Sequence, residues 1–278
     1  MKLQPNVFVI GFQKCGSSSL FDIICSHPKI TGTHPKETFL LSDSEDENYS
    51  EERNMDLRTD NWSKYVSGGI DSRYIVEASV NNFYQNTALN YVRKLKNPKV
   101  IIIVRDPIER FISNFKYYKD RLLLQGFDVE INDYIKFVLS YDGDSDAIKN
   151  ALLHGKYSEF INTWREEIGD NNVLLVAFKD LKTNRQKLFN ALEEFLKLDA
   201  SGFNFDGVTN KSVSAKYKWL HKLIHRLVGG KSFGLKGNLI KFYRQYFMSV
   251  QLYTLNKSNI AWLKKYYKTE YEHLHNYL

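Results

Sequence analysis

The stretch Val7 to Leu20, VFVIGFQKCGSSSL, decides the reading of this chain. Val7, Phe8, Val9 and Ile10 form a wholly apolar run, the pattern of a strand buried on both faces. Gly11 and Gly16 bracket a turn, Ser17, Ser18 and Ser19 follow, and from Leu20 the spacing turns helical. Strand, glycine loop and helix start make an anion site, because the first N–H groups of a helix have no partner and its dipole adds positive charge there. Lys14 puts a full charge inside the loop. The arrangement predicts a phosphate cradle. It differs from the common nucleotide loop G-x-x-x-x-G-K-[ST], because Lys14 precedes the second glycine instead of following it. The competing reading, a plain βα turn with a solvated lysine, leaves the buried strand and the triple serine unexplained.

The 278 residues suffice for one large α/β domain, and 43% hydrophobic with 26% charged residues is ordinary for a globular protein. No apolar run approaches a membrane span. Met1-Lys2 leads straight towards a strand, so no signal peptide is expected and the chain reads as a cytoplasmic, bacterial-type protein. Two cysteines, Cys15 and Cys25, cannot build a disulfide framework. The net charge of +7 is unevenly spread. Gly207 to Thr269 lacks any Asp or Glu, whereas Ser42 to Asp60 is mostly acidic, with Asp43, Glu45, Asp46 and Glu47 in its first half. The basic region suits a polyanion or a solvated surface. The acidic segment reads as an exposed loop.

Further strands are expected at Ile30 to Thr33, Tyr74 to Val76, Val100 to Val104 and Asn172 to Phe178. Helices are expected at Ser17 to Ser26, after Ser79, from Pro107, over Asp128 to Ser140, after Gly155, from Lys179 to about Leu198, over Trp219 to Val228 and over Ile260 to Leu278. The alternation predicts three layers, a central, mainly parallel sheet flanked by helices. Asp106, Pro107 and Glu109 carry the cap, first-turn proline and third-position acid of a helix start. Arg105 precedes them at a strand's carboxyl end, where open parallel sheets bind ligands. Its guanidinium suits a phosphate, and the competing reading is an ion pair with Asp106 or Glu109. His221 and His225 have the spacing of a metal pair, but no third ligand is evident.

Two motifs coincide with a known family. Gly11 to Leu20 resembles the 5′-phosphosulfate loop of sulfotransferases that use 3′-phosphoadenosine 5′-phosphosulfate (PAPS). Val104 to Arg110 with Phe111-Ile112-Ser113 resembles their 3′-phosphate motif. His27-Pro28 and Lys36-Glu37-Thr38-Phe39 are similar to the heparan sulfate (carbohydrate) sulfotransferase branch, as are Gly155-x-Tyr157 with Trp164 and Leu174 to Leu181. The resemblance covers roughly Val7 to Leu198, with weaker echoes beyond. It departs from the vertebrate branch in lacking any cysteine after Cys25, and hence that branch's disulfide-closed hairpin.

The resemblance implies a P-loop-like α/β fold over residues 1–278, with about 207–257 a basic, lid-like or acceptor-contacting region. It implies in-line transfer of a sulfuryl group from PAPS to a hydroxyl or amine of a saccharide or small molecule, with no metal. Gly11, Gln13, Lys14, Cys15, Gly16, Ser17, Ser18 and Ser19 would hold the 5′-phosphate, with Lys14 steadying the leaving charge. Arg105 and Ser113 would hold the 3′-phosphate, and Lys211 and Ser212 are further donor contacts. Glu37 would be the base, His34 the alternative to it, and Glu77 a lesser candidate. The acidic segment after Glu37 suits instead a cationic natural product such as an alkaloid. The rival classes are a P-loop kinase, which needs Mg²⁺ and ATP, and a polyanion-binding module without catalysis. No nucleic-acid partner is expected, and oligomeric state is open.

Overall fold

The computed structural model describes residues 3–53, 62–67, 72–204, 214–215, 217–228, 246–249, 251–275 and 277. Lys211, Ser212, the glycines of 229–237 and the acidic stretch 54–60 lie outside them, as does most of the basic region 207–257.

Five strands build one parallel sheet: β1 (Val7–Gly11), β2 (Ile30–Gly32), β3 (Tyr74–Glu77), β4 (Lys99–Val104) and β5 (Val173–Ala177), in the order β2-β3-β1-β4-β5. Every expected strand is present within one or two residues. The chain leaves central β1 for the edge at β2, returns to β3, then crosses to β4 on the other side of β1. Strand order therefore reverses beside β1, and the crevice of an open sheet falls where the carboxyl ends of β1 and β4 lie together.

The apolar runs are buried as their composition demands. Val7 to Ile10 and Val100 to Val104 are 0% exposed. Each such side chain contributes about 1.5–3 kcal/mol on burial. Helices α1 (Ser17–Cys25), α2 (Asn86–Val92), α3 (Pro107–Leu124), α4 (Tyr134–Ser140), α5 (Asp146–Lys149), α6 (Ser158–Ile168), α7 (Phe178–Thr183) and α8 (Arg185–Leu196) follow along the chain. Beyond them come a two-stranded antiparallel ribbon, β6 (Ser214–Ala215) with β7 (Met248–Ser249), and α9 (Lys218–Val228), α10 (Lys257–Tyr266) and α11 (Lys268–His273). A second apolar cluster packs α3 against α4 and α10 through Phe111, Phe115, Tyr134 and Leu263.

Several helices differ from the sequence pattern, for local reasons. Only Tyr134–Ser140 of the expected Asp128 to Ser140 helix forms. Asp128 and Glu130 are drawn to Lys218 on α9 at 2.7 and 2.9 Å, and the Asn132 side chain accepts the Asn256 N–H at 2.8 Å. The helix expected from Lys179 breaks at Asn184, whose side chain caps α8 by accepting from the Lys187 N–H. The closing helix breaks at Tyr267, which is fully buried. Residues Val80–Tyr84, after β3, form a 3₁₀ turn.

No helix among the described residues is long and apolar enough to cross a membrane. Both cysteines are free thiols. His221 is buried in α9, and the described residues hold no group of three or more His, Cys, Asp or Glu that could grip a metal ion.

Candidate active site

The loop after β1 turns as its glycines require. Lys14 and Gly16 take left-handed backbone, φ 70° and 95°. A Cβ on Gly16 would lie 2.7 Å from the Phe178 ring, so only glycine fits. Gly16 begins α1 without any side-chain cap, and the first turn carries no acid. The leading N–H groups of α1 thus face the loop's mouth with their dipole unsatisfied. Ser17 is buried there, and Ser18 and Ser19 are half-buried. Gln13 turns away, its side chain donating to Asn81 Oδ1 at 2.9 Å. Cys15 is fully buried, which pushes its thiol up to about 11, and it is packing rather than a nucleophile.

Arg105, at the end of β4, joins this loop. Its Nη1 donates to the Lys14 carbonyl at 3.2 Å, and its guanidinium lies 4.5 Å from the Phe178 ring centroid. It also makes an ion pair with Glu109: Nε and Nη2 donate to Glu109 Oε2 at 3.2 and 3.1 Å. Glu109 is 57% exposed, so this pair is screened and weak. The helix start itself is as expected, with Asp106 Oδ1 accepting the Glu109 N–H at 2.8 Å. Glu109 gives its carboxylate to Arg105 and not back to the cap, which leaves half of a capping box.

Lys14 carries the site's electrostatics. Its Nζ lies 3.9 Å from the centre of the Tyr117 ring. Burial, then Arg105 and Arg121, pushes it down to about 8, while Glu37 opposes the shift. Tyr117 and Arg121 were not expected. They lie four residues apart after Ser113 on one face of α3, and that spacing was the available signal. Ser113 is half-buried on this face. Lys36 is the other contributor that local pattern misses. Its Nζ donates to Ser17 Oγ at 3.3 Å, to Glu37 Oε1 at 2.7 Å and to the Ala78 carbonyl at 3.1 Å.

Glu37 is therefore held beside the loop by Lys36, and its Oε2 has no hydrogen-bond partner among the described residues. His34 is exposed, and no hydrogen bond of its ring ties it to the loop among the described residues. Glu77 is 0% exposed. Its Oε1 accepts from Thr38 N and Oγ1 at 3.3 and 3.0 Å, from the Ser79 N–H at 3.0 Å and from Ser79 Oγ. Its Oε2 accepts from Asn82 at 2.8 Å. Burial raises its pKa against those donors. Glu77 is a tether for the Lys36–Glu37 segment.

The family model described as the sulfotransferase domain matches residues 4–252. The chain belongs to the sulfotransferase family. Among its sulfotransferase relatives, human carbohydrate sulfotransferase 15 is 21% identical over 264 residues, covering 76% of this chain and 47% of that protein. Human heparan sulfate glucosamine 3-O-sulfotransferase 3B1 is 22% identical over 198 residues, covering 71% and 47%. The chain spans less than half the length of these curated relatives. The fold matches a sulfotransferase crystal structure from Alicyclobacillus acidocaldarius with a TM-score of 0.62 at 16% identity, covering 87% of this chain and 95% of that one. The family places a sulfotransferase domain on the loop, strand ends and helix start described above.

Proposed function

We propose that this chain transfers a sulfuryl group from PAPS to a hydroxyl or amine of a saccharide or small-molecule acceptor. The observation that carries the proposal is the meeting of Lys14, Arg105 and the uncapped start of α1 at the carboxyl ends of β1 and β4. Such a cluster answers a donor with phosphates at two ends. The N–H groups of residues 16–18 and the serine hydroxyls hold the 5′-phosphate, and Arg105 with Ser113 holds the 3′-phosphate that distinguishes PAPS from ATP. The names of the carbohydrate sulfotransferase relatives support a saccharide among the acceptors.

The reaction is an in-line displacement at sulfur. The acceptor oxygen or nitrogen forms the new bond to sulfur, and the bond from sulfur to the bridging phosphate oxygen breaks. The electron pair stays on that phosphate, releasing adenosine 3′,5′-bisphosphate (PAP). Glu37 takes the acceptor's proton through its unpartnered Oε2, with Lys36 steadying Oε1. His34, exposed and unattached to the loop, is the weaker choice of base. Lys14 meets the charge that grows on the bridging oxygen, in a site where it is already partly desolvated.

Calorimetric titration with PAP in EDTA tests the reading. Micromolar binding is expected; ATP binding that needs Mg²⁺, with no PAP binding, would favour a kinase instead. A pH dependence follows from Lys14. Its ammonium is present below about pH 8 and is lost above it. The kcat/KM for PAPS therefore falls on the alkaline side with an apparent pKa near that value, because kcat/KM reports the free enzyme. Arg121→Gln removes one of the charges that lower Lys14 and moves this limb upward, which a pH profile of both proteins checks.

A further inference from the structure

A pocket of about 270 Å³ opens beside the loop, reaching it through Gln13. Its wall brings together three distant segments: 43–47 after Glu37, 81–85 after β3 and 146–154 around α5. A chain of hydrogen bonds joins this wall to the loop. Gln13 donates to Asn81 at 2.9 Å, and Asn81 donates to Asp46 Oδ2 at 3.5 Å.

Five carboxylates line the pocket: Asp43, Glu45, Asp46, Glu47 and Asp146. None of them makes an ion pair among the described residues. Two are structural. Asp43 accepts the Asn86 and Thr87 N–H groups at the start of α2 at 2.8 and 2.7 Å. Asp46 accepts from Asn48 and Gln85. Glu45, Glu47 and Asp146 pair with no cation among the described residues; Glu45 and Glu47 are exposed, Glu45 accepts from Ser44 Oγ at 2.8 Å, and Glu47 accepts from the Asp146 N–H and the Ser145 hydroxyl. Burial, then the neighbouring Asp146 carboxylate, raise the Glu47 pKa against those two hydrogen bonds.

A separate observation points to a ligand. His154 lines the pocket at 6% exposure, and its Nδ1 has no hydrogen-bond partner. Burial and nearby Arg110 push its pKa down to about 3, so the ring is neutral and adds no positive charge. It stacks on Tyr84 with centroids 4.2 Å apart, and the Tyr84 hydroxyl is likewise buried without a partner. Buried polar atoms are normally satisfied. A wall that sets two aromatic rings with unmet polar atoms beside carboxylates that pair with no cation among the described residues suits an organic cation.

We infer that this pocket holds the acceptor, and that the acceptor is a small hydroxyl-bearing molecule whose ammonium or guanidinium group lies among Glu45, Glu47 and Asp146. The inference rests on the sulfuryl-transfer reading, since it names that reaction's acceptor class. It also sets this chain apart from enzymes of anionic polysaccharides, which the five carboxylates would repel. The volume of about 270 Å³ lies just below the usual range of ligand pockets, about 300 to 1,000 Å³, which calls for a small acceptor.

Three probes with one phenol and one chain length separate charge from shape: tyramine, 4-ethylphenol and 3-(4-hydroxyphenyl)propionate. Each is titrated calorimetrically into the PAP-loaded protein. Tyramine is expected to bind at least about tenfold more tightly than 4-ethylphenol, and the propionate not to bind. In the double variant Glu47→Gln/Asp146→Asn the advantage of tyramine shrinks to about twofold, while PAP affinity is unchanged and certifies the fold. Equal binding of the three probes, preference for the propionate, or an advantage that survives in the double variant overturns the acceptor assignment and leaves the donor site standing. Failure of the wild-type protein to bind PAP overturns the sulfuryl-transfer reading itself.

Discussion

Lys14→Met lowers kcat by about a hundred- to a thousandfold and leaves PAP affinity within about tenfold of wild type. The asymmetry is the point of the experiment. PAP has already lost the sulfuryl group, so it samples the ground-state grip of the loop but not the charge that grows on the bridging oxygen. A cation aimed at that charge contributes on the order of 3–4 kcal/mol in the transition state alone. Methionine keeps the length of the chain over Tyr117 and removes only the ammonium. It also keeps the left-handed backbone that Lys14 already adopts, so no new strain enters. Steady-state kinetics with PAPS and calorimetry with PAP separate the two effects. A loss of PAP affinity equal to the loss of kcat would make Lys14 a binding residue, and an unchanged kcat would remove it from the reaction.

Arg105→Ala weakens PAP binding by about a hundredfold or more, because a guanidinium on a phosphate makes charge-assisted hydrogen bonds of about 1.5–3 kcal/mol each. The same side chain pairs with Glu109, so a companion variant is needed. Glu109→Gln frees Arg105 from its exposed partner at little cost to stability. It is expected to leave PAP affinity unchanged or improved. Equal loss of affinity in the two variants would mean that the pair with Glu109, and not a phosphate, is the purpose of Arg105. The contact from Arg105 to the Lys14 carbonyl adds a second component, since its loss loosens the loop. A rise in KM for PAPS with a smaller fall in kcat is the kinetic form of this result.

The sheet and its loop were legible because their signals are local. Unbroken apolar runs mark β1 and β4, glycines at 11 and 16 mark the turn, and Asp106-Pro107 marks the start of α3. What was hidden depends on residues far apart in sequence. Lys36 reaches Ser17, nineteen positions earlier, and nothing next to Lys36 announces it. Glu77 ends an ordinary strand, and only the folded chain shows its carboxylate gathering Thr38, Ser79 and Asn82. The acidic stretch after Glu37 reads as a solvated loop because charge runs usually are. Asp43 and Asp46 are instead fixed against the 3₁₀ turn and α2, which makes the stretch a wall. The helix breaks at Asn184 and Tyr267 fall where a cap and a buried ring override a continuing amphipathic pattern.

The adjacency of β1 and β4 also governs when the site can exist during folding. Lys14 and Arg105 touch across 91 residues of chain, and the intervening segment supplies β2 and β3, the two strands on one side of β1. Parallel pairing of this kind closes a long loop before it returns any contact energy, so it is a slow step. A nascent chain that has emerged only through β3 carries the loop and its lysine but not Arg105, nor the strand against which β1 is registered from Val7 to Gly11. Competence to bind the donor is therefore acquired late and all at once, and donor affinity measured during refolding would report completion of the sheet rather than formation of the loop.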